Sequence, residues 1–90
     1  MKITVTQEDI RDGRKGSCSR CPVARAMYRA LGINHGGDDY VIVGVTGYAH
    51  VGNTLQDASK VVALPREVNL FIHRFDTDRW VEPFEFEVAL

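Results

Sequence analysis

Apolar and polar residues alternate over Lys2–Thr6, where Ile3 and Val5 share a face. They alternate again over Phe84–Val88, where Phe84, Phe86 and Val88 interleave with Glu85 and Glu87. A period of two predicts a half-buried strand at each end of the chain, the second with an acidic outer face. Between them the period twice becomes helical. Val23, Ala26, Met27, Ala30 and Leu31 make one stripe within Pro22–Leu31, and Val68, Phe71, Ile72 and Phe75 make another within Pro65–Phe75. Pro22 and Pro65 suit first turns, Gly32 suits the position just past a helix, and Glu67 suits the positive end of a helix dipole. Arg25, Tyr28 and Arg29 fall opposite the first stripe. Arg66, Leu70 and His73 fall opposite the second.

The remaining pattern is shorter in range. Thr6-Gln7-Glu8-Asp9 has the form of a capping box opening a short helix, which Gly13 would stop. Tyr40–Val45 is almost wholly apolar and reads as a central strand, with Gly44 marking a bulge or a close contact. Thr46-Gly47 and Gly52-Asn53 are turn signals on either side of a strand Tyr48–Val51, and Ser59–Leu64 completes a meander. These elements predict one α+β domain over residues 1–90, a small antiparallel sheet of about four strands packed on one face by the two main helices. The terminal strands should lie close enough for Lys2 to meet Glu85 or Glu87. Trp80, after the Asp76–Arg79 turn, is expected in the core; were it exposed it would be an interface anchor.

Composition adds one asymmetry. The chain has 90 residues, 44% of them hydrophobic and 26% charged, with a net charge of -1. Residues 1–31 carry Lys2, Arg11, Arg14, Lys15, Arg20, Arg25 and Arg29 against Glu8, Asp9 and Asp12, while residues 32–90 hold four cations against nine acids. Such a dipolar chain either pairs its halves internally or presents a binding face. Arg25 and Arg29 are one turn apart with like charge, so an acidic partner, or Glu82, Glu85 and Glu87, should offset them. No apolar run approaches the length of a membrane span, so no membrane partner is expected. Lys2 leads directly into a strand without a leader-type apolar segment, which points to the cytoplasm.

Chemistry concentrates at Cys18-Ser-Arg-Cys21-Pro22, at the mouth of the first main helix. A pair of thiols there can be a redox pair, because a helix N-terminus and cations such as Lys15 and Arg20 favour thiolate. It can be half of a zinc site, with His35, His50 or His73 completing it, although their spacing lacks the finger signature. It can also be packing, with cysteine as a small hydrophobe. Geometry on the helical wheel leaves at least one sulfur accessible and makes Cys18 the more reactive. The basic segment Arg11, Arg14, Lys15, Arg20, Arg25 and Arg29, with Tyr28, offers a surface for phosphates or an acidic protein. Leu70 and His73 offer a second surface. No catalytic constellation is recognisable.

Three motifs in order, Val5-Thr-Gln-Glu-Asp-Ile10, Cys18-x-x-Cys-Pro-Val-Ala24, and the tail Leu64-Pro…Phe71-Ile72…Phe75-Asp76…Val81-Glu-Pro-Phe-Glu-Phe86, resemble a group of small proteins of actinobacteria and their bacteriophages. The resemblance carries over no catalytic residue. It implies a phage-type accessory protein in a bacterial cytoplasm. The leading expectation is a non-enzymatic module that binds a host protein. A nucleic-acid binder using the basic half, and a thiol–disulfide or zinc protein using Cys18 and Cys21, are the alternatives.

Overall fold

The computed structural model describes residues 1–44, 46–55 and 58–90. Along the chain run β1 (Lys2–Val5), α1 (Gln7–Asp12), α2 (Pro22–Leu31), β2 (Asp39–Val43), β3 (Tyr48–Asn53), β4 (Ala58–Ala63), α3 (Arg66–Asp76) and β5 (Phe84–Glu87). The fold is α+β, but the strands do not share the single four-stranded sheet that the sequence suggests. β1 and β5 form one antiparallel pair, and β2-β3-β4 form a separate antiparallel meander.

The separation has a physical cause. A strand joins a sheet through unpaired N–H and C=O groups, and here the edges that would meet are already occupied. On β2, the outward N–H of Val41 donates to the Tyr28 hydroxyl at 3.0 Å and that of Val43 donates to the Cys18 carbonyl at 2.7 Å. On β1, the Thr4 carbonyl accepts from the Arg29 guanidinium at 2.9 Å. Side chains and a loop therefore take three of the outward groups a neighbouring strand would use.

Both sheets and the helices share one core. Ile3, Val5, Val23, Met27, Val41 and Val68 are fully buried within it, and Val62, Phe71, Ile72 and Phe86 close it. The α3 stripe is buried as its spacing predicts, with Pro65 as the N-cap. The terminal strands pair, Lys2 opposite Glu87, and Lys2 bonds Glu85 at 2.9 Å. In α2 the buried arc is wider than the stripe. It includes Pro22, Ala24 and Tyr28, because the helix packs on both β1 and β2, while at the far end of the stripe Ala30 is exposed and Leu31 half-buried.

Two turn readings need correction. Gly52-Asn53 is not a turn: Gly52 pairs with Tyr40 and Ser59, and Asn53 with Asp39 and Ala58, so β3 continues through both. The chain turns after Asn53, where its side chain accepts from the Leu55 N–H at 2.8 Å. Strand β2 ends at Val43, and the expected last residue, Val45, lies outside the described residues. Gly44 is a close contact, its N–H donating to the Tyr48 carbonyl at 2.9 Å.

Gly13 does end α1, though not by a left-handed turn; its φ is -68°. Space is the reason for glycine there. A Cβ would lie 2.6 Å from the Asp9 carbonyl oxygen and 2.7 Å from Cδ of Pro22, closer than atoms approach. Gly32, at φ 69°, takes the left-handed position that closes α2.

Asp9 is the one buried charged residue among those described. The capping box forms: the Thr6 N–H donates to Asp9 at 2.9 Å, and the Asp9 N–H donates to the Thr6 hydroxyl at 3.2 Å. Arg29 then donates two bonds to the carboxylate, at 2.8 and 2.6 Å. Burial pushes the Asp9 carboxyl up, but the Arg29 and Thr6 hydrogen bonds outweigh it and hold it below its usual range. A carboxyl held low stabilises the fold above its unfolded value of about 3.9, and that contribution fades as pH falls below that value through the folded one. We therefore expect Asp9→Ala to cost about 2–3 kcal/mol in urea unfolding at neutral pH. The gap from the parent chain should narrow toward pH 3. A constant gap would show that the charge is not what stabilises.

Candidate functional site

Among the described residues, the most exposed large apolar one is Trp80, at 81%. The sequence places it in the core, and the structure overturns this. Helix α3 closes with Asp78 N–H to the Phe75 carbonyl and Arg79 N–H to the Arg74 carbonyl at 2.8 Å. Asp78 has φ 62°, which turns the chain sharply back. An ion pair between Lys15 and Asp78 ties this turn to the loop before α2. Behind the turn Phe71 packs against Phe84, ring centres 4.7 Å apart, and Phe84 against Phe86 at 5.6 Å. The indole is left standing outside.

Trp80 forms a ridge between two grooves, each of about 320 Å³. One is lined by Gln7, Ile10, Lys15, Phe75 and Arg79. The other runs between α3 and the segment 80–84, with Leu70, Phe71, Val81 and Phe84 as its floor and Glu67, Arg74 and Glu82 at its rim. That volume lies at the lower end of ligand-sized sites. Leu70, 47% exposed, belongs to this groove, while His73 is exposed on α3 beside a smaller cleft with Asn69 and Asp76. The structure thus joins Leu70 to Trp80 rather than to His73. Sequence reasoning missed Val81, Glu82 and Pro83. They stand in the tail motif just ahead of a strand, which gives no sign that they border a groove.

The two cysteines take different environments. Cys18 is exposed and Cys21 is buried. Cys21 is the N-cap of α2, its sulfur accepting from the Ala24 N–H at 3.4 Å. Burial pushes its thiol up, and this outweighs the hydrogen bonds from Ala24 and Val23 that favour thiolate. The helix terminus therefore does not activate it. The cleft beside the pair is about 50 Å³, lined by Gly16, Ser17, Val43, Ile72 and Asp76 as well as the cysteines. A substrate needs several times that volume. Among the described residues, no group of three or more His, Cys, Asp or Glu side chains is placed to hold a metal. His35 bonds the Ser19 carbonyl at 2.9 Å and stacks on Tyr28, and His50 lies exposed on β3.

The basic segment is largely neutralised within the fold. Arg29 binds Asp9, and Arg25 lies 3.7 Å from Asp9 and 3.8 Å from Asp12. The acids that offset the two arginines are therefore those of α1, not Glu82, Glu85 or Glu87. Tyr28, expected outward, is buried: its hydroxyl caps β2 and its ring fills the gap between α2 and that strand. Arg14 and Arg20 are exposed. A second apolar surface lies on the outer face of the meander, where Ile42, Tyr48 and Val61 are exposed. Among the described residues no helix is long and apolar enough to cross a membrane.

Compared with known proteins, the chain matches no family model, no curated protein and no solved structure. Two outcomes test the site. Trp80 is the only tryptophan, so its emission should be that of a hydrated indole and should barely shift in urea. Iodoacetamide should label Cys18 in the native chain and reach Cys21 only on unfolding. A large red shift, or equal labelling, would contradict the placement of these side chains.

Proposed function

We propose that this chain is a non-enzymatic protein-binding module of phage-accessory type, acting on a host protein in a bacterial cytoplasm and holding it through the surface around Trp80. The observation that carries this reading is the 81% exposure of an indole standing between two grooves. Tryptophan is rarely left in water, and it is among the residues that dominate binding energy at interfaces. Leu70, exposed on the groove floor beside it, supplies a second apolar contact.

Charge supports a protein over a nucleic acid. Most basic side chains of the first third are engaged by Asp9, Asp12, Asp78 and Glu85. Arg14 and Arg20 do not make a stripe able to follow a phosphate backbone. The deeply placed Cys21 and the narrow cleft beside it favour a structural role for that residue over thiol–disulfide turnover.

Affinity capture from an actinobacterial lysate, run in parallel with the parent chain and Trp80→Ala, tests the reading. A specific protein should be retained by the parent and lost from the variant. Retention of nucleic acid alone, falling steeply with salt, would replace this reading with the nucleic-acid one.

A further inference from the structure

Strand β5 has β1 on one side and, among the described residues, no strand on the other. The register shows which groups it offers there. Met1 and Val88 exchange two main-chain bonds, Met1 N–H₃⁺ to the Val88 carbonyl at 2.7 Å and the Val88 N–H to the Met1 carbonyl at 3.0 Å. In an antiparallel pair such exchanges alternate. Ile3 with Phe86 and Val5 with Phe84 are therefore the other bonded pairs. The main-chain groups of Thr4 and Glu85 point away from each other, and so do those of Lys2 and Glu87. The Thr4 carbonyl confirms this parity, since it reaches outward to Arg29. The main-chain N–H and C=O groups of Glu85 and Glu87 thus face the open edge of β5.

The groove under Trp80 leads to that edge. Phe84 lines it, α3 forms its far wall, and no β1 residue borders it. Charge along this path is negative on balance: Glu67 and Glu82 at the groove, then the exposed Glu85 and Glu87 on the strand, against Arg74, Lys2, which bonds Glu85 at 2.9 Å, and the Met1 ammonium, 3.6 Å from Glu87. Resting on the protein-binding reading, we infer that the partner presents an extended segment of alternating basic and apolar residues that adds to β5 as a third strand. Its main chain pairs with Glu85 and Glu87. Its basic side chains lie opposite those carboxylates on the solvent face, where opposite charges across strands attract. Its apolar side chains, on the other face, continue the row of Phe84 and Phe86 and enter the groove beside Leu70.

Intrinsic Trp80 emission reads this directly in the full chain. The probe is a short capped peptide of alternating lysine and valine. It should shift the emission to the blue saturably. Glu85→Gln with Glu87→Gln should weaken it about fivefold, the scale of two cross-strand charge pairs. The same peptide with N-methyl-lysines keeps its charge but cannot donate to β5, and it should bind at least about tenfold more weakly. Equal binding of an alternating glutamate–valine peptide would overturn the charge assignment, and equal binding of the N-methyl peptide would overturn strand addition. No response to any peptide would overturn the inference as a whole. Neither result touches the protein-binding reading, which stands or falls on whether Trp80→Ala loses its captured partner.

Discussion

The fold turns on one buried carboxylate. Asp9 stands at the third position of a six-residue helix too short to persist alone, yet four hydrogen bonds converge on it and its cap. Arg29 closes the arrangement by also holding the Thr4 carbonyl, so one guanidinium fixes β1, α1 and α2 together. Such an ion pair is not a cheap source of stability, since both charges must shed water. Its value is positional. The fork of Arg29 matches two carboxylate oxygens, and half of its side chain still reaches solvent, which lowers the desolvation cost. Once Asp9 is set, Gly13 must pass against Pro22, and the start of α2 is fixed.

From that start follows the division into two sheets. Tyr28 and the Cys18 loop meet the edge of β2, each meeting one outward N–H that would otherwise cost about 1–3 kcal/mol if buried without a partner. The cysteine motif gains a structural account in this way. Cys21 must be small, apolar and able to accept at the N-cap ahead of Pro22, and a thiol meets all three needs. Cys18 contributes its carbonyl; nothing in the structure explains its thiol. With the inner edges closed, the open edge of β5 faces the Trp80 groove.

What was legible in the sequence was local and periodic. The Thr6–Asp9 box, the limits of α2, the α3 stripe and the Lys2–Glu85 pair all depend on spacing within one element or on the meeting of two alternating ends. Illegible features depend on what else fills a space. Tyr28 looks exposed until β2 is seen to pack beside the helix. Trp80 looks like core until the turn at Asp78 is seen to carry it outside the cluster of Phe71, Phe84 and Phe86. Gly52-Asn53 has turn chemistry, but its pairing to strands on both sides outweighs local preference. The need to neutralise Arg25 and Arg29 was visible in their spacing. That the acids would come from α1 was not, because it required the angle at which α1 lies on α2.

Energetics bear on how Trp80 can act. An indole of about 200 Å² that is mostly exposed withholds about 4 kcal/mol of hydrophobic stabilisation from the fold, at roughly 25 cal/mol per Å². That is the most its burial by a partner can return. Association alone costs about 4–15 kcal/mol in lost freedom, so the indole cannot hold a partner by itself. The outer face of the meander also exposes Ile42, Tyr48 and Val61, but it carries no tryptophan. Around Trp80 the missing terms lie together: Leu70 and the groove floor add area, and the β5 edge adds directional bonds. A rigid site also spends less on ordering. Lys15–Asp78 and the α3 terminal bonds hold the turn that carries Trp80, so the indole is presented before a partner arrives.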